Sequence, residues 1–380
     1  MNLTLTDTHL MIRQTAREFA EQQLAPGASQ RDEEERFPKE FVTALGELGF
    51  MGMMVPEEWG GAGLDTISYA LAVEEISRVD ASVGVIMSVN NSLVCYGINK
   101  YGNDDQRDRY LRDLAAGRKL GAFALSEPEA GSDASNQHTI AVLDGDHYLL
   151  NGTKNWITNG STADTVLVMA ATDRSKGPKG ISTFIVEKGT PGFTVAKKEK
   201  KLGIRSSDTV SLAFENCRVP VANRIGAEGD GFRFAMTTLE GGRIGIAAQA
   251  LGIAQACVDA SVRYAKQRKA FGKTIAEHQA IQFKIADMAT ATEAARMLVL
   301  HAAWLKDQEQ PFGQAASMAK LLASKTAVQS ALEAIQIHGG YGYVREYHVE
   351  RYLRDAKVTE IYEGTSEIQR IVIARSLLKD

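Results

Sequence analysis

The sequence is poor in cysteine and carries little excess charge. Three cysteines, Cys95, Cys217 and Cys257, lie far apart in a chain of 380 residues, and no Cys-x-x-Cys pair is present. This scarcity argues against both a disulfide framework and a zinc or other metal site, and it fits a reducing, cytoplasmic compartment. The formal net charge of −4 gives no sign of a polyanionic partner such as nucleic acid.

Long apolar runs and the common glycine-rich nucleotide motifs are also missing. No segment has the roughly 18 uninterrupted apolar residues of a membrane span, and the first residues lack the basic and apolar regions of a signal peptide. We therefore expect no membrane partner. Neither Gly-x-Gly-x-x-Gly nor Gly-x-x-x-x-Gly-Lys followed by Ser or Thr occurs, so any nucleotide must be held without a Rossmann motif or a P-loop.

The spacing of apolar residues divides the chain into three parts. From residue 7 to about residue 119 they recur every three or four positions, which predicts helices. From about residue 120 to 223 the period is two, as in Thr165–Met169, and turn dipeptides such as Asn159-Gly160 separate the runs, which predicts a compact all-β domain. Helical spacing returns from residue 229 onward. The predicted order is helix, sheet, helix.

The segment at residues 361–370, IYEGTSEIQR, holds a carboxylate, Glu363, on a short glycine-containing turn. Ser366 and Gln369 predict a capping box that opens a helix directly after it. A base on such a turn could remove a proton from a buried substrate. An acidic residue that merely complements the positive end of the helix dipole would give the same local pattern.

Four other segments have residues that could hold a flat, phosphorylated ligand. The loop Phe123–Asp133 could present hydroxyls and amides, and in Trp156–Thr158 an indole can pack on a ring while a hydroxyl reaches its edge. Arg268–Gly272 together with Gln279 could bind a phosphate and an adenine. The glycine pair of Gln336–Gly340 lets a ligand approach the backbone. Each segment also has a structural explanation: a plain loop, a core aromatic, a surface helix end and a helix C-cap.

Taken together and in this order, the five segments resemble the signatures of the acyl-CoA dehydrogenase family. The motifs are SEPxxGSD, WIT, RxxFG, QxxGG and YEGT, and the resemblance covers nearly the whole chain. The resemblance implies an α+β multidomain fold with an N-terminal helical domain, a middle antiparallel β-barrel-like domain and a C-terminal four-helix bundle. We place these domains at residues 1–119, 120–228 and 229–380, where the apolar period changes.

The resemblance also implies bound FAD, an acyl-CoA substrate and a homotetramer built as a dimer of dimers. FAD contacts from the same subunit would be Phe123, Leu125, Ser126, Ser132, Trp156, Ile157, Thr158, Thr365 and Glu367, with Thr158 at the flavin edge. FAD contacts reaching the neighbouring subunit would be Arg268, Phe271, Gln279, Gln336, Gly339 and Gly340. Contacts to the CoA thioester would be Ser132, Glu240, Arg243 and Gly364.

The mechanism implied by the resemblance assigns Glu363 as the catalytic base. It would take the proton α to the thioester carbonyl while flavin N5 accepts hydride from the β carbon, giving a trans-2-enoyl-CoA and passing electrons to electron-transferring flavoprotein. Some family members carry the base at the position of Gly242 instead, and this chain has no acid there. Glu240 lies two residues away, about 200° around a helix, and is a poor substitute.

The substrate preference is inferred from two regions of the sequence. Residues 239–252 and those around Glu363 are most similar to the short-chain, butyryl-CoA branch. Residues 81–99, expected at the acyl end, contain no Lys or Arg, which disfavours a distal carboxylate as in glutaryl-CoA. A short branched acyl-CoA, an oxidase of the same fold and a non-catalytic acyl-CoA-binding protein stay as alternatives. Glu129, where many members have glycine, and His338 have no assigned role.

Overall fold

The computed structural model describes residues 4–379, and the first part of this range is helical. Its helices are α1 Asp7–Phe19, α2 Ala28–Glu34, α3 Lys39–Glu47, α4 Thr66–Val79, α5 Ala81–Ser88, α6 Tyr96–Tyr101, α7 Asp104–Gln106 and α8 Arg112–Ala115. The wider π-helical turns of Val89–Cys95 join α5 to α6 without a break. Asp80 begins this stretch because its carboxylate accepts hydrogen bonds from the Ser82 and Val83 amides.

Within residues 4–379, two helical stretches are long and apolar enough to cross a membrane by length and composition alone. They are Ala81–Tyr101 and Gly231–Gln267. Their most apolar windows are 94% and 83% buried inside the protein, as expected for the core helices of a globular fold.

The middle part forms one eight-stranded sheet. Its strands are β1 Gly121–Ala124, β2 Ile140–Asp144, β3 His147–Thr158, β4 Thr165–Ala171, β5 Ile181–Glu187, β6 Phe193–Lys198, β7 Thr209–Pro220 and β8 Arg224–Ile225. The order is β6-β7-β3-β2-β4-β5-β8, with β1 also beside β4. Most neighbours are antiparallel as predicted, but β1 and β2 each run parallel to β4. Parallel neighbours need a crossover connection, and the long loop after β1 together with the β2–β3 hairpin supplies one.

The C-terminal part contains five described helices, one more than the expected bundle of four. They are α9 Gly231–Gln267, α10 Gln279–Asp307, α11 Gly313–His338, α12 Val349–Thr359 and α13 Ser366–Leu377, with a small ribbon of β9 Lys269–Ala270 and β10 Lys273–Thr274. Helix α9 is central and packs on α4 and α11. At Gly252 a Cβ would come closer than 3.0 Å to the Glu74 carbonyl oxygen, so glycine there permits the close approach of α4.

The apolar residues form two separate cores. One core is continuous through both helical parts, whereas the sheet encloses a second one around Tyr148, Phe184 and Phe214. The sheet is therefore a distinct layer against the helices. The short turn between α12 and α13, residues 360–365, lies where this layer meets α9.

Candidate active site

A cavity of about 490 Å³ lies between the sheet and helices α5, α9 and α13. It brings together residues that are far apart in the sequence. Those predicted from the sequence are Phe123, Leu125, Ser126, Ser132, Trp156, Ile157, Thr158, Arg243, Glu363, Gly364 and Thr365. Most of its other lining residues are apolar, namely Val85, Val89, Leu93, Ala134, Met236, Leu239, Ile361 and Ile368. A mostly apolar cavity with a few convergent polar groups is the usual form of a cofactor or substrate site.

Glu363 and Gly364 form a left-handed turn directly before α13. Their φ angles are +51° and +94°. The left-handed region costs a non-glycine residue about 1–3 kcal/mol, and such strain persists only where the surrounding structure holds it. The turn places the Glu363 side chain against α9, with its Oε2 atom next to Gly242.

The predicted capping box of Ser366 and Gln369 is wrong. Thr365 is the N-cap of α13, and its Oγ1 accepts a hydrogen bond from the Ile368 amide at 3.4 Å. An N-cap residue typically has a non-helical backbone, as Thr365 has with φ −59° and ψ +164°, whereas Ser366 already lies within the helix. The Gln369 side chain instead donates to the Gly364 carbonyl oxygen at 2.8 Å and so stabilises the turn.

The Glu363 carboxylate lies in an environment that suits a base near neutral pH. Burial raises its pKa to about 7, while the smaller effects of Lys320 and Arg243 oppose the rise. Within residues 4–379, its Oε2 atom has no hydrogen-bond partner. An ion-paired surface glutamate that only complements a helix dipole would have a lowered pKa, so the local alternative from the sequence does not describe this residue.

Gly242 explains how the carboxylate fits against α9. A Cβ at this position would come within 3.0 Å of both Glu363 Oε2 and Leu93 Cδ2. The space that a side chain at 242 would need is therefore occupied by the Glu363 carboxylate. Glu240 points elsewhere, with its carboxyl group against Gly313, and it does not line the cavity. Its contact with CoA stays a prediction.

Arg243 is the cavity's buried cation. The residue is 6% exposed, and its Nη1 donates to Ser317 Oγ at 3.3 Å. Its Nε atom has no partner among the described residues. Burial lowers the pKa of its guanidinium, which Glu240 and Glu363 partly offset. A buried guanidinium with a free donor at a cavity is suited to a polar ligand atom.

The sheet side of the cavity is held in place by a buried ion pair. Lys154, 0% exposed, contacts Glu127 at 2.7 Å and also donates to the Leu125 carbonyl oxygen at 3.1 Å. Burial lowers the pKa of Lys154 to about 8, so it is still mostly protonated at neutral pH. The pair fixes the loop that presents Leu125, Ser126 and Ser132. Glu129 is on the exposed side of this loop without a positive φ, so no glycine is required there.

Trp156 and Thr158 are suited to bind a flat ring at the rim of the cavity. The Trp156 backbone is left-handed, with φ +63°, and the residue is 62% exposed although it lines the cavity. A large aromatic side chain held in the open by a strained backbone is suited to stacking on a ligand. Thr158 lines the same cavity two residues later. The residues present therefore fit an isoalloxazine ring beside the Glu363 turn.

The other predicted FAD residues lie elsewhere. Arg268, Gly339 and Gly340 line a second cavity of about 460 Å³, where the Arg268 guanidinium lies 5.6 Å from the centre of the Tyr341 ring. Phe271 is 95% exposed beside it. Gln279, Gln336 and Glu367 are exposed and line neither cavity.

His338, which had no role in the sequence interpretation, is buried at this second cavity. Its Nδ1 atom lies 2.7 Å from the Ala334 carbonyl oxygen, and its ring stacks on Tyr264 at 4.2 Å. Burial lowers the pKa of the imidazole. The residue therefore ends α11 and supports the glycine pair.

Sequence reasoning missed the residues behind the Glu363 turn. Tyr362 hydrogen-bonds Gln249 of α9, and Lys320 of α11 donates to the Gly364 carbonyl oxygen at 2.7 Å. Lys320 belongs to a helical pattern in which a lysine is normally exposed, and nothing local marks it as buried. The apolar residues Val85, Val89 and Leu93 could be anticipated only as members of the segment 81–99.

Comparison with known proteins identifies three matching family domains. These are "Acyl-CoA dehydrogenase, N-terminal domain" at residues 6–118, "Acyl-CoA dehydrogenase, middle domain" at 122–217 and "Acyl-CoA dehydrogenase, C-terminal domain" at 229–378. The mitochondrial short-chain specific acyl-CoA dehydrogenase of Rattus norvegicus is 55% identical over 378 residues, which is 100% of this chain and 92% of that protein.

Two solved structures match the complete chain over their own full length. Butyryl-CoA dehydrogenase from Megasphaera elsdenii has 48% identity and a TM-score of 0.98. A chain from the structure described as "Electron transferring flavoprotein of Acidaminococcus fermentans: Towards a mechanism of flavin-based electron bifurcation" has 52% identity and a TM-score of 0.99.

Proposed function

The chain belongs to the acyl-CoA dehydrogenase family, and we propose that it oxidises a short-chain acyl-CoA to the trans-2-enoyl-CoA with Glu363 as the base. Members of this family are FAD-dependent flavoproteins, and this enzyme is one of them. The observation that carries the proposal is the Glu363 carboxylate, which is desolvated, has a pKa of about 7 and lies in the cavity that gathers the other predicted residues.

The FAD ring would lie in the cavity beside the Glu363 turn. Residues that would surround the ring are Phe123, Leu125, Ser126, Trp156, Ile157 and Thr158, and Ser132 and Thr365 would contact other parts of FAD. When bound, FAD supplies the acceptor for the hydride that leaves the β carbon. Arg243 and Gly364 would face the thioester end of the substrate from the same cavity.

Glu363 would remove the α proton. Its unpaired Oε2 atom can accept a proton without first breaking a hydrogen bond, and the neutral acid that forms is better suited to burial than the carboxylate. The Glu363 amide would donate to the thioester oxygen as enolate charge develops there, as the family resemblance implies. The base and one enolate donor would then belong to the same residue.

The acyl end of the cavity supports an uncharged substrate. Val85, Val89 and Leu93 recur at a spacing of four, so they line the cavity from one face of a single helical stretch. The cavity's cation is Arg243, which lies at the Glu363 end. A distal carboxylate would therefore be buried without a counter-ion, which is unfavourable. The rat and Megasphaera elsdenii relatives support a short chain, and a short branched chain stays an alternative.

Titration of the purified flavoprotein with saturated C4 to C16 acyl-CoAs under anaerobic conditions tests the proposal. We expect flavin bleaching with butyryl-CoA at low concentrations and progressively weaker bleaching as the chain lengthens. Admission of oxygen after reduction is the control for the oxidase alternative, and slow reoxidation is expected. Fast reoxidation with release of peroxide would show an oxidase, and full binding without bleaching would show a non-catalytic binding protein.

The pH dependence of turnover should follow the Glu363 carboxyl group. Because burial raises its pKa to about 7, the carboxyl is protonated and inactive as a base at lower pH, and kcat/KM with butyryl-CoA should rise as pH increases through about 7. Measurement of kcat/KM from about pH 5 to about pH 9 checks this. An acid limb centred near the ordinary glutamate pKa of about 4.3 would contradict a desolvated base.

The proposed partners are electron-transferring flavoprotein and further copies of this chain. The similarity to a chain from the Acidaminococcus fermentans structure supports this flavoprotein as the electron acceptor. The second cavity, with Arg268, Gly339 and Gly340 beside the exposed Phe271, supports a contact across a subunit interface to a neighbouring FAD. We propose a homotetramer, a dimer of dimers in which Gln279 and Gln336 join that contact, and a cytoplasmic location.

A further inference from the structure

Lys320 is a fully buried lysine directly behind the Glu363 turn. It is 1% exposed, and no carboxylate lies within ion-pair distance of it in the part of the chain that the structure describes. Its Nζ atom donates to two carbonyl oxygens, that of Thr359 at 2.9 Å and that of Gly364 at 2.7 Å. Buried lysines are rare, and one without an acidic partner needs an explanation.

The two carbonyl groups lie on either side of Glu363 in the sequence. Thr359 is the last residue of α12, and Gly364 directly follows Glu363. One ammonium group therefore joins the end of one helix to the far side of the left-handed turn. These two hydrogen bonds anchor both ends of the segment that contains the base, residues 360–363.

Hydrogen bonding alone does not explain why this residue is a lysine. Ser324 also donates to the Thr359 carbonyl oxygen at 2.8 Å, and Gln369 also donates to that of Gly364 at 2.8 Å. Each carbonyl thus has a neutral donor already. Burying an ammonium group costs far more than burying a hydroxyl or amide, so its charge must have a partner that repays the cost.

The charge acts on Glu363. Of the two cations that favour its carboxylate form, Lys320 of α11 has the larger effect and Arg243 of α9 the smaller. The other titratable groups that interact with this pair are Tyr69 of α4, Tyr362 of the turn itself, Glu360 and Glu367. Burial lowers the pKa of Lys320 to about 8, so it still carries its proton over the range in which Glu363 titrates.

We propose that Lys320 is a positioning residue for Glu363, which holds the turn through two carbonyl groups and keeps the base ionised through its buried positive charge. This inference rests on the proposed role of Glu363. Lys320 would act through Glu363 and would not contact the substrate, since it does not line the cavity.

The test replaces Lys320 with methionine, which removes both charge and donors, and with glutamine, which removes the charge but keeps a donor. Ser324→Ala is the matched control, because it removes a neutral donor to the same Thr359 carbonyl. The FAD-loaded enzyme is assayed with butyryl-CoA over a range of pH. We expect Lys320→Gln to move the acid limb of kcat to higher pH by about one unit and to lower kcat at pH 7 about fivefold. KM should change little, and Ser324→Ala should leave the pH profile in place.

Infrared difference spectroscopy of the Glu363 carboxyl group gives a second readout that does not require turnover. The carboxyl C=O band, identified by its loss in Glu363→Gln, should persist to higher pH in Lys320→Gln. A wild-type acid limb and an unshifted band in both Lys320 variants would overturn the inference. If Lys320→Met fails to fold, the glutamine variant still decides it. Failure of the proposed function would be recognised differently. Glu363→Gln would then show normal turnover, and this result does not depend on the Lys320 variants.

Discussion

Replacing Glu363 with glutamine is expected to lower the rate of flavin reduction by butyryl-CoA about 10³- to 10⁴-fold. The amide has nearly the same shape as the carboxyl group, so the left-handed turn and the packing against Gly242 stay intact. It cannot take up the α proton. The protein should stay folded and yellow, with FAD bound, and anaerobic stopped-flow measurement of flavin bleaching gives the size of the loss.

The stability of this variant gives an independent check on the burial of the carboxylate. The pKa of Glu363 is raised above its value of 4.5 in an unfolded chain to about 7 in the folded protein. Its contribution to stability is therefore full below the unfolded pKa and is lost as pH rises through about 7. Glu363→Gln should consequently raise the melting temperature relative to wild type above this pH. It should change the melting temperature little at about pH 4, below the unfolded pKa, where the carboxyl group is mainly protonated in both the folded and the unfolded protein.

Glu309→Gln is the matched control, since Glu309 is also a non-glycine residue at positive φ, +53°, but is exposed and lies after α10. It should keep wild-type bleaching and wild-type stability at both pH values. Near wild-type bleaching in Glu363→Gln would remove this residue as the base. Equal loss in both variants would point to a general effect of the substitution on the fold.

Local sequence patterns were sufficient for the family and the fold class, and for much of the cavity. The change of apolar period along the chain and the five motifs are local features, and both agree with the three matching family domains. Eleven predicted residues, from Phe123 to Thr365, line one cavity. Short motifs identify such residues because binding a ligand requires particular side chains at fixed distances along the sequence.

The errors and omissions concern features that depend on distant parts of the chain. The N-cap of α13 is Thr365, because Ser366 already lies within the helix. The left-handed backbone of Glu363 before it is not specified by the sequence, since a glutamate rarely adopts it. The parallel pairing of β1 with β4 depends on the tertiary arrangement of the strands, which a local sequence pattern does not specify. Lys320 was missed because its burial requires α11, α12 and the turn to meet, and a helical pattern alone predicts an exposed lysine.

A substitution at Gly242 tests most directly whether a tertiary contact outweighs a local sequence preference. Alanine in the interior of a helix is favoured over glycine by about 0.5–1 kcal/mol, so helix propensity alone predicts that Gly242→Ala stabilises α9. The added methyl group would instead come within 3.0 Å of Glu363 Oε2 and Leu93 Cδ2. Overpacking of this kind typically costs about 1–3 kcal/mol and outweighs the propensity gain.

Gly242→Ala should therefore displace the base. A shift of about 1 Å in a catalytic group can reduce the rate about 10²-fold, and we expect kcat with butyryl-CoA to fall by this order while FAD stays bound. Gly241→Ala is the matched control on the same helix turn, because its Cβ would meet nothing closer than Lys306 Nζ at 3.4 Å. It should gain stability and keep wild-type turnover. Steady-state kinetics and thermal unfolding of the two variants measure both effects. Wild-type turnover in Gly242→Ala would mean that the Glu363 carboxylate does not need its place against α9 and that the base works from another position.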